Sequence, residues 1–486
     1  MGGIFWFIRC DKRSLPRISE WQFHSSNYAA EIYEKPSRTE GTSRMVSAWA
    51  TGNYTWNDIY LADFSVRFDG SSDFGSKQRW APFFSGGLGV NIHNYEFLKG
   101  NEMVNKLKVR ASYGRTGKAS FPAYAATTMY EALFDEWYAT GFGAVLKALG
   151  NNNLTWEKTD KFNVGIEMQF LNRRLTVDAD YYHDKTIDLV NDVSLSQTSG
   201  FSSYKDNMGE VLNQGFELQV RGEVFRNRDW LVALWGNMAH NKNKILKISD
   251  SQRAYNQRVK EFYENIVNEE YGRYNSKYGV PISQYEEGQS LTSIWAVKSL
   301  GIDPTTGKEI FLNRDGSVSD TWNATQEVAV GNTEPKFNGS IGFNAAYKQW
   351  SLFAAFQYEW GGQEYNQTLV DRVENARIQY QNVDLRVLTD RWKQPGDIAQ
   401  FKDIKNADSA TMPTSRFVQD KAYLRLSALT LSYDFNREWI KKYLGMNMLR
   451  LEASTRDFIN WNSIRQERGL SYPKSWTVDF SIKAQF

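Results

Sequence analysis

The feature that most constrains this chain is strict alternation between Phe162 and Tyr182. Phe162, Val164, Ile166, Met168 and Phe170 alternate with Asn163, Gly165, Glu167 and Gln169. After a polar turn, Leu171-Asn172-Arg173-Arg174, the residues Leu175, Val177, Ala179 and Tyr181 alternate with Thr176, Asp178, Asp180 and Tyr182. A period of two sends successive side chains to opposite faces of a sheet. The segment therefore reads as a hairpin with one apolar face and one face of Glu, Gln and Asp. A soluble antiparallel sheet with one wet face gives the same alternation. Repetition and connection length have to decide.

The pattern repeats along the chain. Tyr60 to Phe68, Phe84 to Ile92, Leu107 to Tyr113, Phe216 to Val224, Trp230 to Met238, Phe337 to Tyr347, Trp350 to Tyr358, Leu449 to Glu452 and Trp476 to Phe486 all alternate. With Tyr28 to Tyr33 included, about thirteen or fourteen strands are expected, each near the roughly 9–11 residues that a tilted membrane strand needs. Short connections (55–57, 171–174, 225–229, 348–349) alternate with long ones (117–153, 191–208, 247–334, 362–415, 460–474). Short turns at one end and long loops at the other are the arrangement of an outer-membrane barrel. The expected fold is all-β, a transmembrane antiparallel β-barrel with short periplasmic turns and long extracellular loops.

Composition agrees. Mean hydropathy is −0.57, and no apolar run approaches the roughly 18 residues of a membrane-spanning helix. A barrel that alternates lipid-facing with lumen-facing residues averages out polar, so a hydrophilic mean leaves a membrane open. A net charge of +2 gives no reason to expect nucleic acid. The single Cys10 excludes an intramolecular disulfide and any cysteine-built metal site. Residues 1–43 form an atypical N-terminal segment, read as one strand or loop. Met1 to Cys10 has no basic start and no small-residue cleavage site, so it reads as something other than a signal peptide or the natural start.

No pattern calls for catalysis or a cofactor. Gly301 to Lys308 (GIDPTTGK) has one residue too many for a phosphate loop and Glu309 where Ser or Thr belongs, so it reads as a hairpin turn. Asn313-Arg314-Asp315-Gly316 lacks the ligand series of a calcium loop and reads as a turn. His24, His93, His183 and His240 show no metal spacing. No nucleophile elbow is present. Aromatic residues in the long loops are the candidate ligand contacts: Tyr124, Tyr130, Trp137 and Tyr138 in one, Tyr358, Trp360 and Tyr365 at the mouth of another. Flat aromatic faces stack on sugar rings and peptide side chains, and barrels also place Tyr and Trp in interfacial girdles. Both readings stay open for the loop set, whereas Trp230, Trp350 and Trp476 read as girdle.

Several longer motifs resemble one family. Asn207-Met208-Gly209-Glu210, Asn213-Gln214-Gly215-Phe216-Glu217 and Asn241-Lys242-Asn243-Lys244 are similar to the SusC/RagA family of TonB-linked outer-membrane transporters. So are Leu154-Thr155-Trp156-Glu157, Asp180-Tyr181-Tyr182 with Thr186 to Leu189, Phe68 to Gly75, Lys106 to Gly117 and Ala422 to Leu426. The resemblance runs in order from about Met45 to Phe486 and assigns residues 44–486 to the barrel. It implies the C-terminal portion of a larger barrel of about 22 strands, with plug domain and TonB box absent from this chain, so a truncated or partial form is expected.

What the resemblance further implies is uptake of oligosaccharides or oligopeptides across the outer membrane of a Gram-negative, Bacteroidetes-like cell. Its implied partners are a SusD-like surface lipoprotein, the TonB-ExbB-ExbD complex, the barrel assembly machinery and outer-membrane lipid. The final strand, with Trp476, Phe480 and Phe486 on its apolar face, resembles the signal that the assembly machinery recognises. Two other classes compete: a soluble, secreted, aromatic-rich glycan-binding β-protein, and an outer-membrane enzyme, against which the missing catalytic constellation argues.

Overall fold

The computed structural model describes residues 43–74, 79–118, 126–138, 141–194, 203–207, 209–268, 279–376, 383–406, 411–435, 437–464 and 477–485. Tyr28 to Tyr33 lies outside them.

Fourteen strands form one sheet. They are β1 (Met45–Trp56), β2 (Tyr60–Ser71), β3 (Trp80–Asn91), β4 (Val104–Lys118), β5 (Glu157–Phe170), β6 (Leu175–Ile187) and β7 (Glu210–Arg226). Then follow β8 (Trp230–Lys247), β9 (Phe337–Tyr347), β10 (Trp350–Tyr365), β11 (Val418–Asp434), β12 (Met448–Arg456), the short β13 (Asn460–Asn462) and β14 (Thr477–Gln485). The hydrogen-bonded path takes them in chain order from β1 to β12 and then β14, with β13 pairing β11. Apart from the short β13, each strand thus pairs the next along the chain, as in an up-and-down meander. By contacts the chain divides into two compact units: Met1–Gly89, Ala111–Phe162 and Asp184–Val211 in one, and Val90–Arg110, Asn163–His183 and Leu212–Phe486 in the other.

The alternation expected from the sequence sorts the two faces. On one, Phe64 (59% exposed), Leu234 (50%) and Phe480 (82%) stand out of the sheet, with Val66, Ile166, Ile341, Leu431 and Ile482 also exposed. Register keeps this row continuous, with Leu234 opposite Phe343 and Phe343 opposite Ala354. On the other face charges pair across strands. Glu167 on β5 accepts from Lys106 at 2.6 Å on β4, and Arg110 of β4 donates to Asp180 at 2.6 Å on β6. Near the end of the chain Lys483 donates to Glu452 at 2.9 Å.

The short turns lie at one end. Asn57 and Asp58 have φ of 51° and 55°, the pair of left-handed residues that a tight I′ hairpin requires. In the second unit, at the short turns 227–229 and 348–349, Trp230 lies against Tyr347 (ring centroids 4.4 Å apart) and Trp350 against Tyr433 (4.8 Å). Trp476 also reads as a girdle residue from the sequence. It lies outside the described residues.

The long connections are not bare loops. Residues 119–156 contain a hairpin of Met129–Tyr138 and Gly141–Ala148. Residues 248–336 contain the helix α1 (Asp250–Asn268) and strands at Ser293–Ala296, Lys298–Ile302, Glu309–Leu312, Val318–Ser319 and Val328–Asn332. The two motifs that superficially resembled phosphate and calcium loops are the turns between these strands. Asp303 caps the first by accepting from the Thr305 N–H at 2.9 Å, and Asp315 caps the second through the Ser317 N–H at 2.9 Å.

Candidate functional site

The motif residues that carry the family resemblance hold the roots of the long connections. In the first unit Asn207 ties three strands' ends together: its side chain donates to the carbonyls of Thr155 (2.9 Å) and Asp188 (2.8 Å) and accepts from the Thr155 N–H (2.8 Å). Trp156 beside it is buried, stacks on Phe74 at 4.1 Å and donates to the Arg79 carbonyl. In the second unit Asn243 does the equivalent work. It donates to Asn213 at 2.7 Å, accepts from the Leu291 N–H at 2.8 Å, and its own N–H reaches Glu334 at 3.1 Å. Gly215 is fixed by close approach, since a Cβ there would lie 1.9 Å from the His240 carbonyl oxygen.

Above these roots, in the second unit, connections 248–336 and 366–417 fold together. Leu369, Val370, Val373, Ala376, Val387, Phe401 and Phe417 make one buried apolar cluster, and Tyr365 packs against it. Arg416 bridges the connections by donating to Glu374 (2.6 Å) and Glu309 (2.9 Å), with the Glu374 side chain wholly buried. A second cluster sets Val259 and Tyr263 of α1 on Ala324, with Trp322 and Ile282 around them. The Tyr263 hydroxyl donates to the Val280 carbonyl at 2.8 Å.

Glu327 lies beside this second cluster with no exposed surface and accepts from the Gln284 amide, while its Oε1 has no hydrogen-bond partner among the described residues. Burial pushes its carboxyl up to about 8, against the pull of Lys260 and Arg314. The sequence held a signal for α1 that periodicity over strands obscured. Ser249 and Gln252 form a reciprocal capping box, N–H to side chain at 3.2 and 3.0 Å, followed by Tyr255, Val259 and Tyr263 at helical spacing.

A cavity of about 760 Å³ opens at the long-connection ends of β8, β9, β10 and β11. His240, Lys242, Glu334, Lys336, Trp360 and Asp420 are among its lining residues. The Trp360 ring is 69% exposed. Among the described residues, Trp360 is the expected ligand contact that lines the cavity. Tyr358 lies two residues away on the same strand face, its hydroxyl donating to the Asn237 carbonyl at 3.0 Å across Gly339. Tyr365 is turned into the loop cluster, its ring 6.0 Å from Phe417. Tyr130 is 70% exposed on the separate hairpin of residues 129–148. Tyr124, Trp476 and Phe486 lie outside the described residues, as do the side chains of Trp137 and Tyr138. Within the second unit, Trp360 lines the cavity while Tyr365 packs into the loop cluster. The cavity joins Trp360 to Asn, Lys, Asp and Glu side chains that periodicity could not single out.

A meander of long antiparallel strands with an exposed apolar belt, short turns at one end and folded connections at the other is the architecture of an outer-membrane β-barrel protein. The chain belongs to the family described as TonB dependent receptor-like, beta-barrel, whose model matches residues 14–454. It is 27% identical over 434 residues to TonB-dependent receptor P3 of Formosa agariphila, covering 88% of this chain and 42% of that protein. It is 33% identical over 215 residues to TonB-dependent receptor SusC of Bacteroides thetaiotaomicron, covering 42% of this chain and 21% of that protein. Among solved structures, the RagAB peptide transporter superposes with a TM-score of 0.74 at 24% identity over 91% of this chain and 48% of that chain. The SusC/RagA resemblance read from the motifs is borne out. The chain spans half or less of the length of these relatives.

Proposed function

We propose that this chain forms the membrane wall and surface connections of an outer-membrane TonB-dependent importer that takes up oligomeric nutrients, oligosaccharides or oligopeptides. The observation that carries the reading is the division of the sheet's faces. One presents Phe64, Leu234, Ile341, Leu431 and Phe480 uncovered, and the other presents charged pairs such as Arg110 with Asp180. Large contiguous apolar surface of this kind is stable against lipid and unstable in water. That contrast disfavours a soluble glycan-binding protein, which would have to bury the same row.

Nutrient binding is assigned to the long-connection end, where Trp360 faces the 760 Å³ cavity. A SusD-like lipoprotein, as partner, would meet the folded connections there. TonB with ExbB and ExbD would supply energy through a plug domain from the opposite, short-turn side. RagAB is a peptide transporter, but at 24% identity its likeness to this chain extends to the fold and leaves both nutrient classes in play. The test is growth of a strain lacking this gene on a panel of oligosaccharides and oligopeptides as sole nutrient. Loss of growth on one class, and loss of that uptake on collapsing the proton gradient, is expected. Unchanged growth on every member of the panel, with the protein found outside the outer-membrane fraction, refutes the reading.

A further inference from the structure

We propose that the rim cavity is a site for an acidic saccharide, with a sugar ring on the Trp360 face and the ring's carboxylate, sulfate or phosphate group at Lys242 and Lys336. The inference deepens the importer reading and rests on it for the side from which the ligand arrives. Its chemistry comes from the cavity's own residues.

The charges lining the cavity divide into those already answered and those left over. Glu334 accepts from the Asn241 side-chain amide and from the Asn243 N–H at 3.1 Å. Asp420 accepts from the Gln363 amide at 3.1 Å, and Lys421 pairs with Glu364 at 3.1 Å. Lys242 and Lys336 are exposed, and neither has an ion-pair partner among the described residues. Two ammonium groups that make no ion pair among the described residues thus share a concave site with an open indole face, while the carboxylates of Glu334 and Asp420 are held by amide donors. Lys336 is also placed rather than free to wander. Its stem packs along Gly361, where φ is +82° and an added Cβ would lie 2.9 Å from Lys336 Cβ. Its carbonyl accepts from the His240 ring at 2.5 Å.

Each ligand class leaves part of this arrangement unused except one. A neutral sugar would stack on Trp360 and hydrogen-bond to the amides, leaving both ammonium groups without purpose. A free inorganic anion would meet the lysines and leave the indole idle. An acidic sugar uses both, because its ring offers an apolar C–H face to the indole and its anionic group makes charge-assisted hydrogen bonds to two lysines. Such a group can come from a soluble oligosaccharide or from the headgroup of an outer-leaflet glycolipid. Trp360 stands beside the lipid-facing row, opposite Phe337 in register, so both sources can reach the cavity.

The test uses the purified chain in phosphatidylcholine nanodiscs and calorimetric titration with trigalacturonate, its neutral methyl ester and a sulfated galactose trisaccharide. An acidic probe should bind about tenfold or more tightly than the ester. Lys242→Gln combined with Lys336→Gln should reduce the acidic probe to the affinity of the ester while leaving the ester unchanged. Trp360→Ala should weaken both, with Trp360→Phe recovering part. Nanodiscs containing lipopolysaccharide separate the sources: competition with the acidic probe identifies the glycolipid headgroup, and its absence identifies a soluble ligand.

Equal affinity for acid and ester, no binding of either acidic probe, or equally tight binding of triglutamate overturns the proposal. Persistent nutrient uptake alongside any of those results sinks this inference alone. Acid-selective binding by a protein that supports no uptake sinks the importer reading instead.

Discussion

Glu327 offers the sharpest test of how the long connections are held. The carboxyl is wholly buried beside the cluster that seats α1, accepts from Gln284, and has an oxygen without a partner among the described residues. Tyr263, Lys260 and Arg314 are the other ionisable groups that act on it. Burial raises it from an ordinary 4.5 to about 8, so the folded connection prefers the protonated acid. The stability this contributes is complete below pH 4.5, declines as pH rises through the interval, and is gone above about pH 8. At ~1.4 kcal/mol per pH unit, the interval amounts to an upper bound of roughly 5 kcal/mol, of which about 3 kcal/mol is already lost at pH 7.

Glu327→Gln keeps a carbonyl to accept from Gln284 and removes the ionisation. Hydrogen exchange of α1 (Asp250–Asn268), corrected for the intrinsic pH dependence, reads the local stability. In the parent, protection should fall from pH 5 to pH 8. In the glutamine variant it should be flat and, at pH 7, higher by up to the same ~3 kcal/mol. Parallel profiles for the two proteins would show that Lys260 and Arg314 already hold a buried carboxylate, and that burial does not govern this site.

Three further outcomes follow from particular residues. Arg416→Met leaves the Glu374 carboxylate buried without its cation, which costs ~3–5 kcal/mol. The variant should be nicked within residues 366–417 far faster by a dilute protease, and adding Glu374→Gln should recover part of the resistance. Leu234→Arg places a charge on the exposed apolar row and should lower stability in lipid bilayers by ~2–4 kcal/mol in urea titrations, whereas Arg221→Gln on the opposite face should change it little. For assembly, the apolar face of β14, with Phe480 82% exposed and Ile482 72% exposed, supports the proposal that Trp476, Phe480 and Phe486 form the recognition signal. Deleting Phe486 should reduce the amount recovered in the outer membrane, while Lys483→Gln, which breaks only the pair with Glu452, should not; equal recovery of both refutes it.

How much of this was legible beforehand divides along a physical line. The strands were legible because their cause is local: a residue's face in a sheet depends on parity along its own strand, so Phe162 to Phe170 and Trp476 to Phe486 declared themselves without any partner. The two hairpin turns at Asp303 and Asp315 were legible for the same reason, since each carboxylate accepts from an N–H two residues on. The family motifs were visible too, but their role was not. Asn207 acts on backbone groups 19 and 52 residues away, and Asn243 on a backbone N–H 48 residues away and a carboxylate 91 residues away.

The elements inside the long connections were not legible because a capping box and a stripe at Tyr255, Val259 and Tyr263 are weak against a background of alternation. They fold only when another segment covers them. Glu309, Glu374 and Arg416 look like ordinary surface charges in the sequence, and 107 and 42 residues separate the two carboxylates from the guanidinium that joins them. The cavity is of the same kind. Lys242, Lys336 and Trp360 come from three strand ends, and which charges stay unanswered depends on every neighbour that Glu334, Asp420 and Lys421 find first. Periodicity, which is local, therefore determined the membrane wall, while the site at its rim was decided by packing between distant segments, because only there is it settled which polar groups are satisfied.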